Sequence, residues 1–125
     1  MTTHPKAAEL IEAVGRFIEE RCAPQLTGRD AFLAKVAVNA LAAVKRELEQ
    51  GPAAEAAATE RLTALLGHGG DFDTLNDELC RKLAAGDLDL STPGVMAHLR
   101  ASSIDQVRID QPNYSGLAAL REGNS

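Results

Sequence analysis

The sequence predicts an all-α fold: a single antiparallel bundle of about five helices over residues 1–111, followed by a short C-terminal tail, residues 112–125. Three observations predict it. Apolar residues recur at helical spacing in one segment after another. Glycine and proline stand between those segments, where helices stop and start. β-Branched residues are scattered and nowhere alternate with polar ones over the length of a strand. The short connections favour antiparallel neighbours.

The first helix is expected over residues 5–22. Ala7, Leu10, Ile11, Val14, Phe17, Ile18 and Cys22 fall on one arc, with Glu9, Glu12, Arg16, Glu19 and Glu20 on the other. Pro5 suits a first turn, and Pro24 stops the helix. The second helix, 28–50, has Thr27 as its cap and Asp30 three residues on. Leu33, Val36, Ala37, Ala40, Leu41, Val44 and Leu48 make its apolar stripe. Gly51 and Pro52 are read as its end and as the start of a third helix, about 52–66, with Ala58, Leu62, Leu65 and Leu66 on one edge. Gly67-His68-Gly69-Gly70 is the clearest break. The fourth helix, about 73–85, carries Leu75, Leu79 and Leu83, and Gly86 ends it. Ser91 or Thr92, followed by Pro93, caps a fifth helix that runs to Asp110, with Val95, Met96, Leu99, Ser103 and Val107 on one side. Pro112 halts it.

Composition narrows the function. The 125 residues suit one domain, and the 45 % hydrophobic fraction is mostly alanine and leucine, so the core side chains are small. A formal charge of −5 lacks the basic footprint that nucleic acid and anionic membrane surfaces require. No apolar run approaches the ~20 residues that span a bilayer. The N-terminus has no apolar core of a signal peptide. Cys22 and Cys80 are far apart in sequence, are expected as small core side chains, and suit a reducing cytoplasm.

Several chemistries are discounted. The Gly67–Gly70 loop has no preceding strand and no following Gly-Lys-Ser/Thr, so it is a turn rather than a phosphate cradle. Asp71 and Asp73, and Asp87 with Asp89, begin calcium-loop patterns that later positions break; they read as helix N-terminal residues. His4, His68 and His98 form no pair at i+3 or i+4, so no metal site is encoded locally. His98, Ser102 and Asp105 share one straight helix and cannot converge as a triad, which leaves them as a solvent-edge strip. No catalytic, cofactor-binding or metal-ligating residue is assigned, and the chain is expected not to be an enzyme.

The interesting residues are polar ones in apolar company. Lys35, Asn39, Ala42 and Arg46 form a strip along the border of the second helix's stripe. Asn is a poor mid-helix residue, so Asn39 has a side-chain role: a bond to a neighbouring helix, or a partner-contacting strip with Lys35 and Arg46. Arg21 and Glu47 each point into an apolar arc, and an unpaired buried charge costs several kcal/mol. They are expected to pair where the helices pack, or else to snorkel into water. In the tail, Tyr114 is the lone tyrosine, with Asn113 and Gly116 as turn formers and Leu117 and Leu120 as added apolar groups. Tyr114 and Leu117 either fold back onto the bundle or form a docking segment.

Three stretches carry a resemblance: Thr27-GRDAFLAKVAVNALAAVKREL-48, Leu79-CRKLAAGDLD-89 and His98-LRASSIDQVRIDQPNYSG-116. They resemble a family of small helical bacterial proteins encoded beside, or fused to, aminoglycoside-phosphotransferase-like kinases and acyl-CoA dehydrogenases. The resemblance implies an accessory subunit of such a kinase, one that phosphorylates the hydroxyl of hydroxyacyl-CoA. The chain itself has no Gly-rich ATP loop, strand lysine or catalytic-loop Asp, so the kinase must be another chain. The alternative is a self-associating bundle, a homo-oligomer, with a small-ligand pocket. Small helix-facing residues leave little room for the ~300 Å3 such a pocket needs.

Overall fold

The computed structural model describes residues 4–117. They are all-helical, and no strand occurs among them. Four α-helices follow in order: α1 (His4–Phe17), α2 (Gly28–Leu66), α3 (Phe72–Ala85) and α4 (Val95–Asp110). A π-helical turn, Ile18–Cys22, and a 3-10 turn, Ala23–Gln25, connect α1 to α2. The residues divide into two compact units, one up to Gly51 and one from Pro52 onward.

The expected count of five helices is corrected to four because α2 runs unbroken through Pro52. Proline inside a helix deprives one carbonyl of its donor and costs about 3 kcal/mol. It also pushes the preceding residue out of the helical region by crowding its Cβ. Here that residue is Gly51, which has no Cβ. The alanine-rich stretch Ala53–Ala58 then resumes with the best helix formers. Gly51-Pro52 is still a boundary, between the two compact units within one helix.

In the first unit, α1 and the first half of α2 form an antiparallel hairpin. The Glu12 carboxylate meets Lys45 Nζ at 3.1 Å and Arg16 Nη2 at 3.0 Å. Ala8 and Ala34 are buried, while Ile11 and Gly15 on α1, Ile18 in the π-helical turn, and Val38, Leu41 and Leu48 on α2 are half-buried. Cys22 is half-buried as well.

The second unit has a true core. Leu62 of α2 and Leu75 and Leu79 of α3 are buried together, with Leu66, Phe72, Leu83 and Leu88 packed against them. Val95, Ile104 and Ile109 of α4 are buried too. Asp71 caps α3, its Oδ1 accepting from the Thr74 amide at 2.8 Å. Gly86, at φ +84°, closes it; the Gly86 amide donates to Leu83 O and the Asp87 amide to Lys82 O. Cys80 is exposed rather than in the core.

The start of α4 differs from expectation. Asp89 Oδ1 accepts from the Ser91 amide at 2.8 Å, and Thr92 Oγ1 accepts from the Asp89 amide at 3.1 Å. These bonds wind Asp89–Thr92 into a turn, so neither Ser91 nor Thr92 caps a helix. The helix begins at Val95, after Gly94 at φ +93°. Its buried side is Val95, His98, Ile104 and Ile109, and Met96 is exposed.

Candidate functional site

The hairpin of the first unit has two unlike sides. Residues advance by 100° in a helix, so side chains four and seven apart share a side. One side is charged. Glu12 and Arg16 of α1 and Glu19 and Glu20 of the π-helical turn face Val38, Leu41, Ala42 and Lys45 of α2 across an open groove of about 370 Å3. The groove exists because Gly15 and Ala42 put almost no side chain into it. Its floor is apolar, and its rim mixes both signs. Hydrogen bonding to Lys45, the charge of Lys45 and then that of Arg16 hold the Glu12 carboxyl below its ordinary range.

The strip Lys35, Asn39, Ala42 and Arg46 runs along this side. Ala42 lines the groove, Lys35 and Asn39 are exposed, and Arg46 is half-buried.

The other side is apolar. Leu10, Val14 and Phe17 of α1 are all exposed, Leu10 and Phe17 by nearly three-fifths. Leu33, Val36 and Val44 of α2 are exposed on the same side. The sequence arcs of these two helices are therefore wider than the contact between them. Arg21 sits in the π-helical turn that follows α1, and Glu47 lies on α2. The Glu12–Lys45 contact sets Arg21 level with Val36, and Glu47 level with Leu10. The two charges therefore lie toward opposite ends of the hairpin. Among the described residues no ion pair joins them, and both are exposed.

In the second unit, sequence reasoning missed a polar cluster around a buried histidine. Arg61 Nε of α2 donates to His98 Nδ1 of α4 at 2.9 Å, and Arg61 Nη2 donates to Ser102 Oγ at 3.2 Å. His98 is 3 % exposed, not at a solvent edge. Burial first, then the Arg61 charge, lowers the His98 pKa below its ordinary value. The neutral ring then carries its proton on Nε2. A Ser-His-Asp relay needs Nδ1–H aimed at a carboxylate. Here Nδ1 accepts from a guanidinium instead, and the cluster ties α2 to α4. The one signal in sequence was His98 four residues before Ser102; the arginine is 37 positions away.

At the loop after α2, His68 Nε2 meets Glu78 Oε1 at 2.9 Å, and Nδ1 bonds Gly69 O at 3.0 Å. The Gly69 bond, then Glu78, raises the His68 pKa. Tyr114 is half-exposed, its ring so close over Gly116 that a Cβ there would collide with it. Leu117 is buried, and the rest of the tail, Leu120 included, lies outside the described residues.

Among the described residues no three His, Cys, Asp or Glu are placed to hold a metal ion. No described helix is long and apolar enough to cross a membrane. What fold and surfaces define is a small all-α protein of two helical units, with a groove on one side of its hairpin and an apolar face on the other. The chain belongs to the family described as Domain of unknown function (DUF6285), whose pattern matches residues 24–114. No curated protein and no solved structure matches it.

Proposed function

We propose that the chain is a non-catalytic accessory subunit of an aminoglycoside-phosphotransferase-like kinase acting in hydroxyacyl-CoA metabolism in the cytoplasm. The observation that supports a binding role is the groove between α1 and α2, with its apolar floor of Ile11, Val38 and Leu41 and its rim of Glu12, Arg16 and Lys45. That combination suits an amphipathic segment of a partner laid into a groove, apolar anchors below and charges at the edge. The kinase as partner, and the acyl-CoA context, come from the sequence resemblance.

A second reading is favoured by the size of the same groove, which falls within the ~300–1,000 Å3 of small-ligand sites. Co-expression with an aminoglycoside-phosphotransferase-like kinase from the same genome separates the two. The expected result is co-elution, kinase activity that requires the small chain, and loss of both with Ala42→Trp, which fills the groove from a half-buried position. A kinase fully active alone, with no complex, overturns the proposal. Small molecules co-purifying with the isolated chain, and lost in Ala42→Trp, would favour the ligand reading.

A further inference from the structure

We infer that the groove between α1 and α2 takes an amphipathic helix of the partner, with basic residues on one flank of its apolar stripe and acidic residues on the other. The basic flank lies against α1 and the acidic flank against α2. This rests on the reading of the groove as a partner-binding site and adds the chemistry of what fills it.

The shape suits a helix. Two antiparallel helices in contact leave a furrow along their seam, and a third helix packs into such a furrow with its own apolar stripe on the floor. Ile11 of α1 and Val38 and Leu41 of α2 supply that floor. Gly15 and Ala42 let an occupant's backbone come close, and a Cβ added at Gly15 would meet nothing within 4 Å.

Charge sets the flanks. Residues 7–20, in α1 and the π-helical turn, hold Glu9, Glu12, Glu19 and Glu20 against Arg16 alone. Residues 31–46 of α2 hold Lys35, Lys45 and Arg46 and no acid. The groove thus runs between an acidic wall and a basic one. Glu12, Glu19 and Glu20 line the first, Lys45 lines the second, and Lys35 is exposed on the same border of α2 as Ala42. Lys45 and Glu12 bridge the walls at one end, at 3.1 Å. Toward the other end Glu19, Glu20 and Lys35 make no ion pair among the described residues, so charges of both signs remain for a partner. Charges flanking an apolar seam are what set partner choice and orientation when helices pair. A helix with two basic flanks sets like charge against α2, and one with two acidic flanks sets it against α1; each arrangement is penalised. Turning the helix end for end exchanges its flanks, so the same complementarity also fixes the direction in which the partner runs.

Fluorescence anisotropy of the 125-residue chain with three labelled peptides tests this. Each peptide has about four helical turns, ~14 residues, is stapled so that it is helical alone, and has the same leucine stripe. One has lysine on one flank and glutamate on the other, one has lysine on both, and one has glutamate on both. The mixed peptide is expected to bind at least tenfold tighter than either of the others, by a margin that shrinks as salt rises. Glu19→Lys with Glu20→Lys makes both walls basic, and the peptide with glutamate on both flanks should then bind tightest. Both positions are exposed, and far-ultraviolet circular dichroism checks that the helices persist. Tightest binding of the all-lysine peptide by the wild-type chain overturns the inference, because the net charge of −5 and not the walls would then set the order. Equal affinity for all three peptides, or an order that the reversal leaves unchanged, overturns it too. Ala42→Trp tells this failure from that of the wider reading. Binding that Ala42→Trp abolishes, with flanks that make no difference, ends this inference alone. No binding of any peptide, or binding indifferent to Ala42→Trp, removes the groove as a docking site altogether.

Discussion

Leu62 and Phe17 both belong to apolar stripes on well-formed helices, yet Leu62 has no exposed surface and Phe17 is 58 % exposed. The difference is the number of partners. Leu62 lies in a unit where the second half of α2, α3 and α4 all contribute buried side chains, so an apolar arc finds neighbours around its whole width. Phe17 lies in a hairpin of two helices. Two helices share one seam, and an arc wider than that seam leaves an edge in water. Periodicity shows that a face is apolar; it does not show what covers it.

The largest expected effect separates the units by stability. Leu62→Ala removes a fully buried side chain and should destabilise the chain by about 4 kcal/mol. Phe17→Ala, at concentrations where the chain is monomeric, should change stability by no more than ~0.5 kcal/mol, as at a surface site. Urea unfolding reads both. Equal losses at the two positions would mean that the hairpin face is covered within one chain.

What the sequence disclosed follows the same divide between local and distant causes. Asp71 at the start of α3 and the Gly86 stop were legible because each acts on backbone within a few residues, although the cap bond from Asp71 to Thr74 was not. The charged and apolar arcs of α1 and α2 were legible from period alone. Gly51-Pro52 misled because proline's local cost was weighed without the relief that glycine gives just before it. The Arg61–His98 bond could not be read, since it joins residues that only tertiary packing brings together. Direction alone allows Arg21 and Glu47 either to pair or to reach water; the antiparallel register, fixed by Glu12 and Lys45, holds them apart, and both are exposed. The groove was not anticipated because small residues were expected to close the helices together, whereas Gly15 and Ala42 leave the space open.

A middle-sized effect contrasts two glycines. Gly94 is at φ +93°, and a Cβ there would come within 2.9 Å of Leu65 Cδ2. Gly94→Ala should destabilise the second unit by about 2 kcal/mol, the usual scale of backbone strain at such a conformation. Gly15 is inside α1 with nothing within 4 Å of an added Cβ. Gly15→Ala should stabilise the hairpin by about 0.5–1 kcal/mol through helix propensity. Thermal unfolding measures both, and a destabilised Gly15→Ala would show that something closes over that part of the groove.

The smallest effect distinguishes the units on the pH axis. His98 has a lowered pKa in the folded state, through burial and then Arg61. As pH falls through the ordinary histidine value, the unfolded chain takes up a proton that the folded one refuses, so stability is full above that value and declines below it. His68 has a raised pKa, through Gly69 and then Glu78. Its contribution is present below the ordinary value and is lost as pH rises through the raised one. Because the His68–Glu78 pair is solvent-exposed, solvent screening keeps its share small, and the His98 slope should dominate. Glu12 of the hairpin has a lowered carboxyl pKa, and its contribution is lost only as pH falls through the carboxylate range. Amide hydrogen exchange between about pH 5 and 8, where histidine titrates, should therefore show α4 losing protection on acidification while α1 holds its own. In His98→Gln the amide oxygen still accepts from Arg61 but does not titrate. The acid-side loss in α4 should then vanish; if it persists unchanged, the buried histidine is not its source.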